Sequence, residues 1–191
     1  TQDGAWQGVA FGRILSLSQS EGNLILHQLS PQEFSAHWQD YFALERDYTQ
    51  LFRQFAKDEA IAKAADFAPG IRVLRQQPFE ALCSFIMSQN NNIKRIKGLV
   101  ERLCQLCGKP LENGLYAFPT PEALAGLSVA DLSPVRAGFR ATYLIYAARR
   151  GVSGPVSLEL PYPLPLEAAT AMLRPISGHA PKGRDGALPA R

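Results

Sequence analysis

The pattern of apolar and polar positions divides the chain into a short β-rich opening and a long helical remainder. Between residues 6 and 26, apolar residues recur at short intervals on both sides of the turn signal Glu21-Gly22-Asn23. This pattern predicts two or three antiparallel strands around a hairpin. Because so few strands are only marginally stable alone, we expect further strands or helices to cover them.

Helix-start signals follow the predicted strands. Ser30-Pro31-Gln32-Glu33 combines an N-cap serine, a proline at the first helical position and a glutamate three residues after the cap. Asp47 and Asp58 are predicted N-caps of two further helices. Apolar residues at helical spacing on these segments are predicted to form core. They are Phe34, Trp38, Tyr41, Phe42, Tyr48, Leu51, Phe52, Phe55, Ile61, Ala64, Ala65 and Phe67.

Ala68-Pro69-Gly70 interrupts the helical series and is the predicted domain boundary. Beyond it, helices are predicted at Pro78 to Ser88, Ile93 to about Leu106, Pro121 to Ala125, about Val129 to Leu132, Phe139 to Arg149 and about Leu166 to Leu173. Gly108 is expected to end the second of them. The residues expected to face inward are Phe79, Leu82, Cys83, Phe85, Ile86, Ile93, Ile96, Val100, Leu103, Tyr143, Leu144 and Tyr146.

Composition and charge narrow the class of protein. With 191 residues, 46% hydrophobic and 19% charged, the chain has the composition of a soluble globular protein. No apolar run approaches the roughly 20 residues of a membrane span, and we expect an intracellular protein. The net charge of +3 is unevenly distributed, with −3 in the first 93 residues and +6 in the rest. A basic second half suits a nucleic acid partner, and it suits a solvated basic surface equally well.

The three cysteines do not predict a metal site. Cys104 and Cys107 have the spacing of a metal-binding or redox pair, but no second pair or nearby histidine completes such a site. Because both lie in an apolar helical pattern, we interpret them as core residues. No metal and no cofactor is expected.

The most polar interruption between two apolar segments is Ser84 to Lys97, which reads SFIMSQNNNIKRIK. Three consecutive asparagines separate a predicted apolar helix from a basic, amphipathic one. Carboxamides both donate and accept hydrogen bonds, so such a cluster can replace partners that another molecule has lost. The same asparagines serve equally well as caps of the following helix.

From Gly70 to Gly108, GIRVLRQQPFEALCSFIMSQNNNIKRIKGLVERLCQLCG, the sequence resembles the 8-oxoguanine DNA glycosylase family of the helix-hairpin-helix superfamily. The similarity continues through YAFPTPEALAGLS and AGFRATYLIYAAR. The resemblance implies an α+β fold. Residues 1–68 would be a partial antiparallel β domain like half of the TATA-binding protein, and residues 69–177 an incomplete all-α helix-hairpin-helix bundle. Residues 178–191 read as an aberrant, disordered tail.

The resemblance also implies a function, which is base-excision DNA repair. Members of the family flip an oxidised purine such as 8-oxoguanine out of the duplex, where it lies opposite cytosine, and excise it. A lysine amine attacks C1′ of the deoxyribose, and the resulting Schiff base adds abasic-site lyase activity. The implied partner is double-stranded DNA, and we expect a monomer without membrane association, in the nucleoid of a bacterium or the nucleus of a eukaryote.

Four positions carry over to DNA contacts. Asn90 matches the asparagine that fills the space of the flipped base and contacts the orphaned cytosine, and Arg95 and Arg140 match arginines that read this cytosine. Phe139 stands where the family has a tyrosine wedge, and it keeps the aromatic ring. Without the resemblance, Asn90 would be a helix cap, the two arginines solvated helix residues and Phe139 a core aromatic.

The hairpin element departs from the family pattern. Gly178 matches the first hairpin glycine and Lys182 falls at the nucleophile position, but Ala180 replaces the second glycine, where a backbone amide approaches phosphate closely. The family's catalytic aspartate, its C-terminal helices and its opening strand have no counterpart in this sequence. The resemblance therefore predicts a chain truncated at both ends with impaired catalysis, and a change of reading frame near Gly178 is one hypothesis for its tail. The alternatives are a non-catalytic fragment that binds damaged DNA and a fragment that does not fold stably.

Overall fold

The chain opens with a three-stranded sheet in the order β1-β2-β3. The computed structural model describes residues 4–68 and 71–153. Its strands are β1 (Trp6–Ala10), β2 (Arg13–Ser20) and β3 (Asn23–His27). β2 and β3 pair antiparallel, with Ser16 opposite His27. Glu21 and Gly22 have φ angles of 50° and 80°, as a two-residue hairpin turn requires, so the predicted hairpin is confirmed.

The described residues form two compact units. Of the described residues, the first unit contains 4–7, 15–68 and 71–76, and the second contains 8–14 and 77–153. The boundary expected from the sequence at residues 68–70 stays a prediction, because Pro69 and Gly70 lie outside the described residues.

Capped helices follow the strands in the first unit. They are α1 (Pro31–Glu33), a π-helical turn (Phe34–Trp38), α2 (Gln39–Tyr41), α3 (Tyr48–Phe55) and α4 (Glu59–Phe67). Ser30 and Glu33 form a reciprocal capping box, which satisfies two amides at the start of α1. Asp47 accepts from the Thr49 amide at 2.8 Å, and Asp58 accepts from the Ile61 amide at 3.0 Å. The three predicted N-caps are confirmed.

The core predicted for these helices forms only in part. Trp38 is 1% exposed, and its ring packs edge-on against Tyr41 with centroids 5.7 Å apart. The prediction is wrong for α4, where Phe67 is 91% exposed, Ile61 45% exposed and Ala64 exposed. Among the described elements α4 packs chiefly against α3, so the rest of its apolar face meets solvent.

Residues 71–75 form an apolar-basic link that is held within the first unit by backbone and arginine contacts. Arg72 donates to the Ala43 carbonyl at 2.8 Å, and its guanidinium lies 4.7 Å from the centroid of the Tyr48 ring. The Tyr48 hydroxyl accepts from the Val73 amide at 3.0 Å. Arg75 forms an ion pair with Asp40. These contacts, rather than burial of the apolar side chains, hold the link in place.

The second unit is a helical bundle. Its helices are α5 (Pro78–Ser88), α6 (Ile93–Cys107), α7 (Pro121–Ala125) and α8 (Arg140–Ser153), with 3-10 turns at Glu112–Gly114 and Ser133–Val135. The helix predicted at Val129 to Leu132 is wrong, because those residues form turns. Pro134 has no amide hydrogen with which to extend a helical ladder from Ser128. No helix in the described ranges has both the length and the apolar character to cross a membrane.

One contiguous core holds this bundle together. It contains Phe79, Leu82, Cys83, Ile86, Met87, Leu99, Leu103, Leu124, Leu132, Val135, Ala137, Ala141, Leu144, Ile145, Ala147 and Ala148. Three residues predicted to face inward are exposed instead: Phe85 by 53%, Ile93 by 74% and Tyr146 by 40%. Each lies off the buried stripe of its helix, which on α8 is built largely from alanines that allow close packing.

Gly108 ends α6, as predicted, but it does not have the left-handed conformation in which glycine often follows a helix. Its φ is −82°, which any residue adopts. A Cβ at this position would collide with the carbonyl oxygen of Ala117 and lie 2.6 Å from that of Cys104. Glycine is therefore required by the close approach of two backbone segments.

Candidate nucleic-acid interface

The three asparagines between α5 and α6 do different things. Asn91 Nδ2 donates to the Met87 carbonyl at 2.9 Å, which satisfies the last turn of α5. Asn92 caps α6, because its side-chain oxygen accepts from the Arg95 amide at 2.9 Å. Asn90 has a φ of 48°, a left-handed conformation that asparagine tolerates better than most residues. Among the residues that the structure describes, the exposed Asn90 carboxamide has no hydrogen-bond partner.

The start of α6 presents a basic surface. Lys94, Arg95 and Lys97 are exposed, and within the described ranges the Arg95 guanidinium makes no hydrogen bond. Ile93 at the first helical position is 74% exposed beside these cations. An exposed apolar residue among cations suits a partner with both phosphates and apolar base surfaces.

Phe139 lies in the turn immediately before α8. Its side chain is 59% exposed, so the interpretation as a core aromatic does not apply. The ring packs edge-on against Tyr143 with centroids 6.3 Å apart, and Arg140 Cζ lies 4.5 Å from its centroid. The preceding Gly138 has a φ of 62°, which sharply turns the backbone into the helix. Phe139 thus presents its aromatic ring to solvent, and contacts with Tyr143 and Arg140 support the ring.

Arg140 is placed very differently from a solvated helix residue. It is 3% exposed, and its guanidinium is occupied by backbone carbonyls. Nε and Nη2 both donate to Gln89, at 3.1 Å for Nε, Nη2 donates to Asn90 at 3.1 Å, and Nη1 donates to Ala137 at 3.4 Å. Arg140 therefore connects the loop that carries Asn90 to the turn that carries Phe139. A contact between Arg140 and a cytosine stays a prediction.

The remaining predicted site residues, Gly178 and Lys182, lie outside the described residues, as do the helix predicted at Leu166 to Leu173 and the tail. The hairpin and the nucleophile position thus stay predictions from the resemblance.

The cysteines are core residues, as predicted. Cys83 and Cys104 are buried, and Cys107 is partly buried against the same core. Burial raises the pKa of the Cys104 thiol to about 12, with nearby Glu80 adding to the shift, and burial raises the pKa of Cys83 further. Such thiols are protonated at neutral pH and are unreactive. In residues 4–68 and 71–153 no group of three potential ligands could hold a metal ion.

Arg102 and Arg149 bind backbone carbonyls, a role that the sequence did not indicate. In the sequence they are only polar positions on helices. Arg102 on α6 donates to the Val135 carbonyl at 2.9 Å, and Arg149 on α8 donates to Ala125 at 3.1 Å and Leu127 at 3.0 Å. The one available signal for Arg102 was Gly98, an unfavourable residue in a helix interior and one turn away.

Two family models together match residues 1–190 of the chain. Residues 1–82 match the family model of the 8-oxoguanine DNA glycosylase N-terminal domain, and residues 83–190 match that of the HhH-GPD superfamily of base-excision DNA repair proteins. The N-glycosylase/DNA lyase of Saccharomyces cerevisiae is 34% identical over 153 residues, which cover 73% of this chain and 40% of the yeast protein. The chain thus spans about 40% of the length of this curated relative.

Two solved structures of the Clostridium acetobutylicum 8-oxoguanine glycosylase/lyase are similar in fold. The apo form is 34% identical, with a TM-score of 0.86, and the match covers 95% of this chain and 65% of that one. The complex with double-stranded DNA containing cytosine opposite 8-oxoguanine is 36% identical, with a TM-score of 0.76, and the match covers 83% of this chain and 56% of that one.

Proposed function

Because the chain belongs to the HhH-GPD superfamily of base-excision DNA repair proteins, with an N-terminal part of the 8-oxoguanine DNA glycosylase type, we propose that it recognises 8-oxoguanine paired with cytosine in duplex DNA and excises the damaged base. The DNA in the related Clostridium complex carries this base pair, which supports the proposed substrate. Such a substrate would be met in a bacterial nucleoid or a eukaryotic nucleus.

The main support for this proposal is that Arg140 contacts both Asn90, whose carboxamide is free among the described residues, and Phe139, whose aromatic ring is exposed. Arg140 contacts the Asn90 carbonyl at 3.1 Å and lies 4.5 Å from the Phe139 ring centroid, so the loop and the wedge are neighbours. The Asn90 carboxamide and the Phe139 ring are both exposed. This pairing is what a protein needs in order to unstack a base step and satisfy the orphaned partner base.

Each residue has a proposed role in the flipped complex. Phe139 enters the base stack and kinks the duplex, and the apolar ring replaces the lost stacking contacts. Asn90 occupies the space of the flipped purine, where its carboxamide donates to and accepts from the Watson–Crick edge of cytosine. The exposed Arg95 guanidinium donates to the acceptor atoms of the same base, for which its planar fork is suited.

We propose that Arg140 reaches cytosine by exchanging contacts. Its guanidinium already donates to the carbonyls of Gln89, Asn90 and Ala137 in the DNA-free protein. We therefore assign it a cytosine contact that replaces one loop carbonyl when the duplex is bound. Because the exchanged bonds are of similar type, this contact adds selectivity for the opposite base more than it adds affinity.

The lyase step is assigned to Lys182 on the resemblance alone. A lysine amine attacks C1′ only when it is deprotonated, which burial or a neighbouring cation achieves by lowering its pKa. As the bond from Lys182 Nζ to C1′ forms, the bond from C1′ to the base breaks and the base leaves with the bonding electrons. Opening of the C1′–O4′ bond then gives the Schiff base between Lys182 and the sugar, and β-elimination of the 3′ phosphate from it cleaves the strand.

Borohydride trapping tests this assignment on a duplex with 8-oxoguanine opposite cytosine. We expect a covalent protein–DNA adduct with the wild-type chain and none with Lys182→Ala. An adduct that survives the substitution would show that another amine is the nucleophile, and absence of any adduct would defeat the proposed lyase activity.

A second candidate is binding of damaged DNA without catalysis. The four proposed DNA contacts favour this candidate, because they all lie between Asn90 and Arg140. The proposed nucleophile, Lys182, lies outside this range. Selective, salt-dependent binding to a duplex with an abasic-site analogue, without a trapped adduct, would support this function over the first.

A further inference from the structure

The turn that carries Phe139 packs against helix α6 in the core and is also hydrogen-bonded to it by Arg102. Arg102 Nε donates to the carbonyl oxygen of Val135, 2.9 Å away, at the end of the 3-10 turn that leads to Phe139. Val135 is fully buried. A carbonyl of a buried residue requires a partner within the protein, and Arg102 supplies it.

This turn has an irregular backbone that needs support. Arg136 has a φ of 60° and Gly138 a φ of 62°, so two left-handed residues flank the buried Ala137. A non-glycine residue in this region is strained and persists only where surrounding contacts hold it. The Arg102 contact lies directly before Arg136, and the Arg140 contact to the Ala137 carbonyl lies directly after it.

Gly98 leaves room for the Arg102 guanidinium along α6. A Cβ at Gly98 would lie 3.1 Å from Arg102 Nη1, closer than ordinary van der Waals contact. Glycine is unfavourable in a helix interior compared with alanine. Its position one turn before Arg102 is explained by the path that the arginine takes toward Val135.

We propose that Arg102 is a positioning residue for Phe139. It fixes the Phe139 turn to α6, the same helix whose start follows the Asn90 loop. Arg140 forms a second bridge, because it binds the carbonyls of Gln89 and Asn90 in the loop before α6. The two arginine–carbonyl bridges set the spacing between wedge and carboxamide before DNA binds. The inference rests on the proposed function, which makes Phe139 the wedge.

Arg102→Lys tests the bridge at constant charge. Lysine has a methylene where arginine has Nε, so it cannot donate from the position that contacts Val135. The matched control is Arg149→Lys, which removes the same type of Nε bond, to the Ala125 carbonyl at 3.1 Å, in the same unit but beside α7. Gly98→Ala is a second variant, because it crowds the guanidinium without removing it.

The first readout is amide hydrogen exchange without DNA, followed by mass spectrometry. We expect Arg102→Lys to speed exchange across residues 136–141 about tenfold, as loss of one local hydrogen bond allows, and to leave residues 123–128 unchanged. Arg149→Lys should do the reverse, and Gly98→Ala should change residues 136–141 in the same direction by less. Unchanged exchange at 136–141 in Arg102→Lys overturns the bridge.

The second readout concerns the wedge. We measure binding to a duplex with an abasic-site analogue opposite cytosine, relative to undamaged duplex, with 2-aminopurine beside the lesion to report unstacking. Arg102→Lys should lower the binding ratio roughly fivefold to tenfold and weaken the fluorescence increase, while Arg149→Lys should match wild type. Faster exchange with unchanged binding ratio and fluorescence overturns the positioning role. A wild-type chain without lesion preference defeats the proposed function, whereas the exchange data alone decide whether Arg102 holds the turn.

Discussion

The Arg140 guanidinium donates to the carbonyl oxygen of Asn90 at 3.1 Å, although the two residues are fifty positions apart in the chain. This bond joins the left-handed residue of the asparagine loop to the first residue of α8. Because Arg140 is 3% exposed, its guanidinium depends on these carbonyls for hydrogen bonding. The stability of the bundle and the shape of the interface are therefore coupled.

Arg140→Met tests this coupling. The substitution leaves the carbonyls of Gln89 and Asn90 without their donor, so we expect unfolding in urea to become easier by about 2–3 kcal/mol. Lys109→Met, which removes an exposed charge in the same unit, should change stability by less than about 0.5 kcal/mol. Equal stability of the two variants would contradict a structural role for the Arg140 contacts.

Asn90→Gly separates recognition from folding. Glycine adopts a positive φ without strain, so stability should stay within about 0.5 kcal/mol of wild type. The lost carboxamide should reduce the preference for cytosine over other bases opposite an abasic-site analogue about tenfold, since one polar contact is removed. Competition binding with four duplexes measures this preference.

Asn92→Ala is the comparison variant for Asn90→Gly. Loss of its cap bond to the Arg95 amide should cost about 1 kcal/mol of stability and leave the preference among opposite bases unchanged. If the two variants lost base preference equally, Asn90 would have no separate role.

Gly108→Ala should be strongly destabilising. Its added methyl collides with the Ala117 carbonyl oxygen, and backbone cannot move aside cheaply, so we expect a loss of roughly 3 kcal/mol or more. Gly126→Ala is the control, because a Cβ there meets nothing within 4 Å and its φ is −74°. Thermal melts of the two variants compare them directly, and similar melting temperatures would contradict the close approach at Gly108.

Glu80 is expected to make stability depend on pH. Burial raises the pKa of its carboxyl above the usual value of 4.5, so the folded state holds this proton more tightly than the unfolded state. The contribution of Glu80 to the free energy of unfolding is complete below its pKa in the unfolded state. It is lost as the pH rises from about 4.5 through its pKa in the folded state.

Glu80→Gln removes this titration and retains the shape of the side chain. We expect the variant to be more stable than wild type at pH 7 and equal to it near pH 3.5, as followed by urea unfolding across the range. A difference that is the same at both pH values would show that the titration of Glu80 does not contribute.

Local signals in the sequence determined much of the fold. The hairpin at Glu21-Gly22, the three N-caps and the limits of α5 and α7 follow from short-range rules, because the interactions that create them lie within a few residues. The family resemblance likewise selected Asn90 and Phe139 as site candidates, and both are exposed. The helix predicted at Val129 does not form, because Pro134 has no amide hydrogen with which to extend it.

Only the tertiary structure decided which polar residues have hydrogen-bond partners and which apolar residues are exposed. Without the resemblance, Arg140 reads as a solvated helix residue, and no sequence pattern marks Arg102, yet both bind distant backbone carbonyls. Phe67 reads as core yet is 91% exposed. Gly108 reads as a helix cap, but a second backbone segment explains it. The physical reason is shared: burial and hydrogen-bond partners depend on segments many residues away, which periodicity along one helix does not encode.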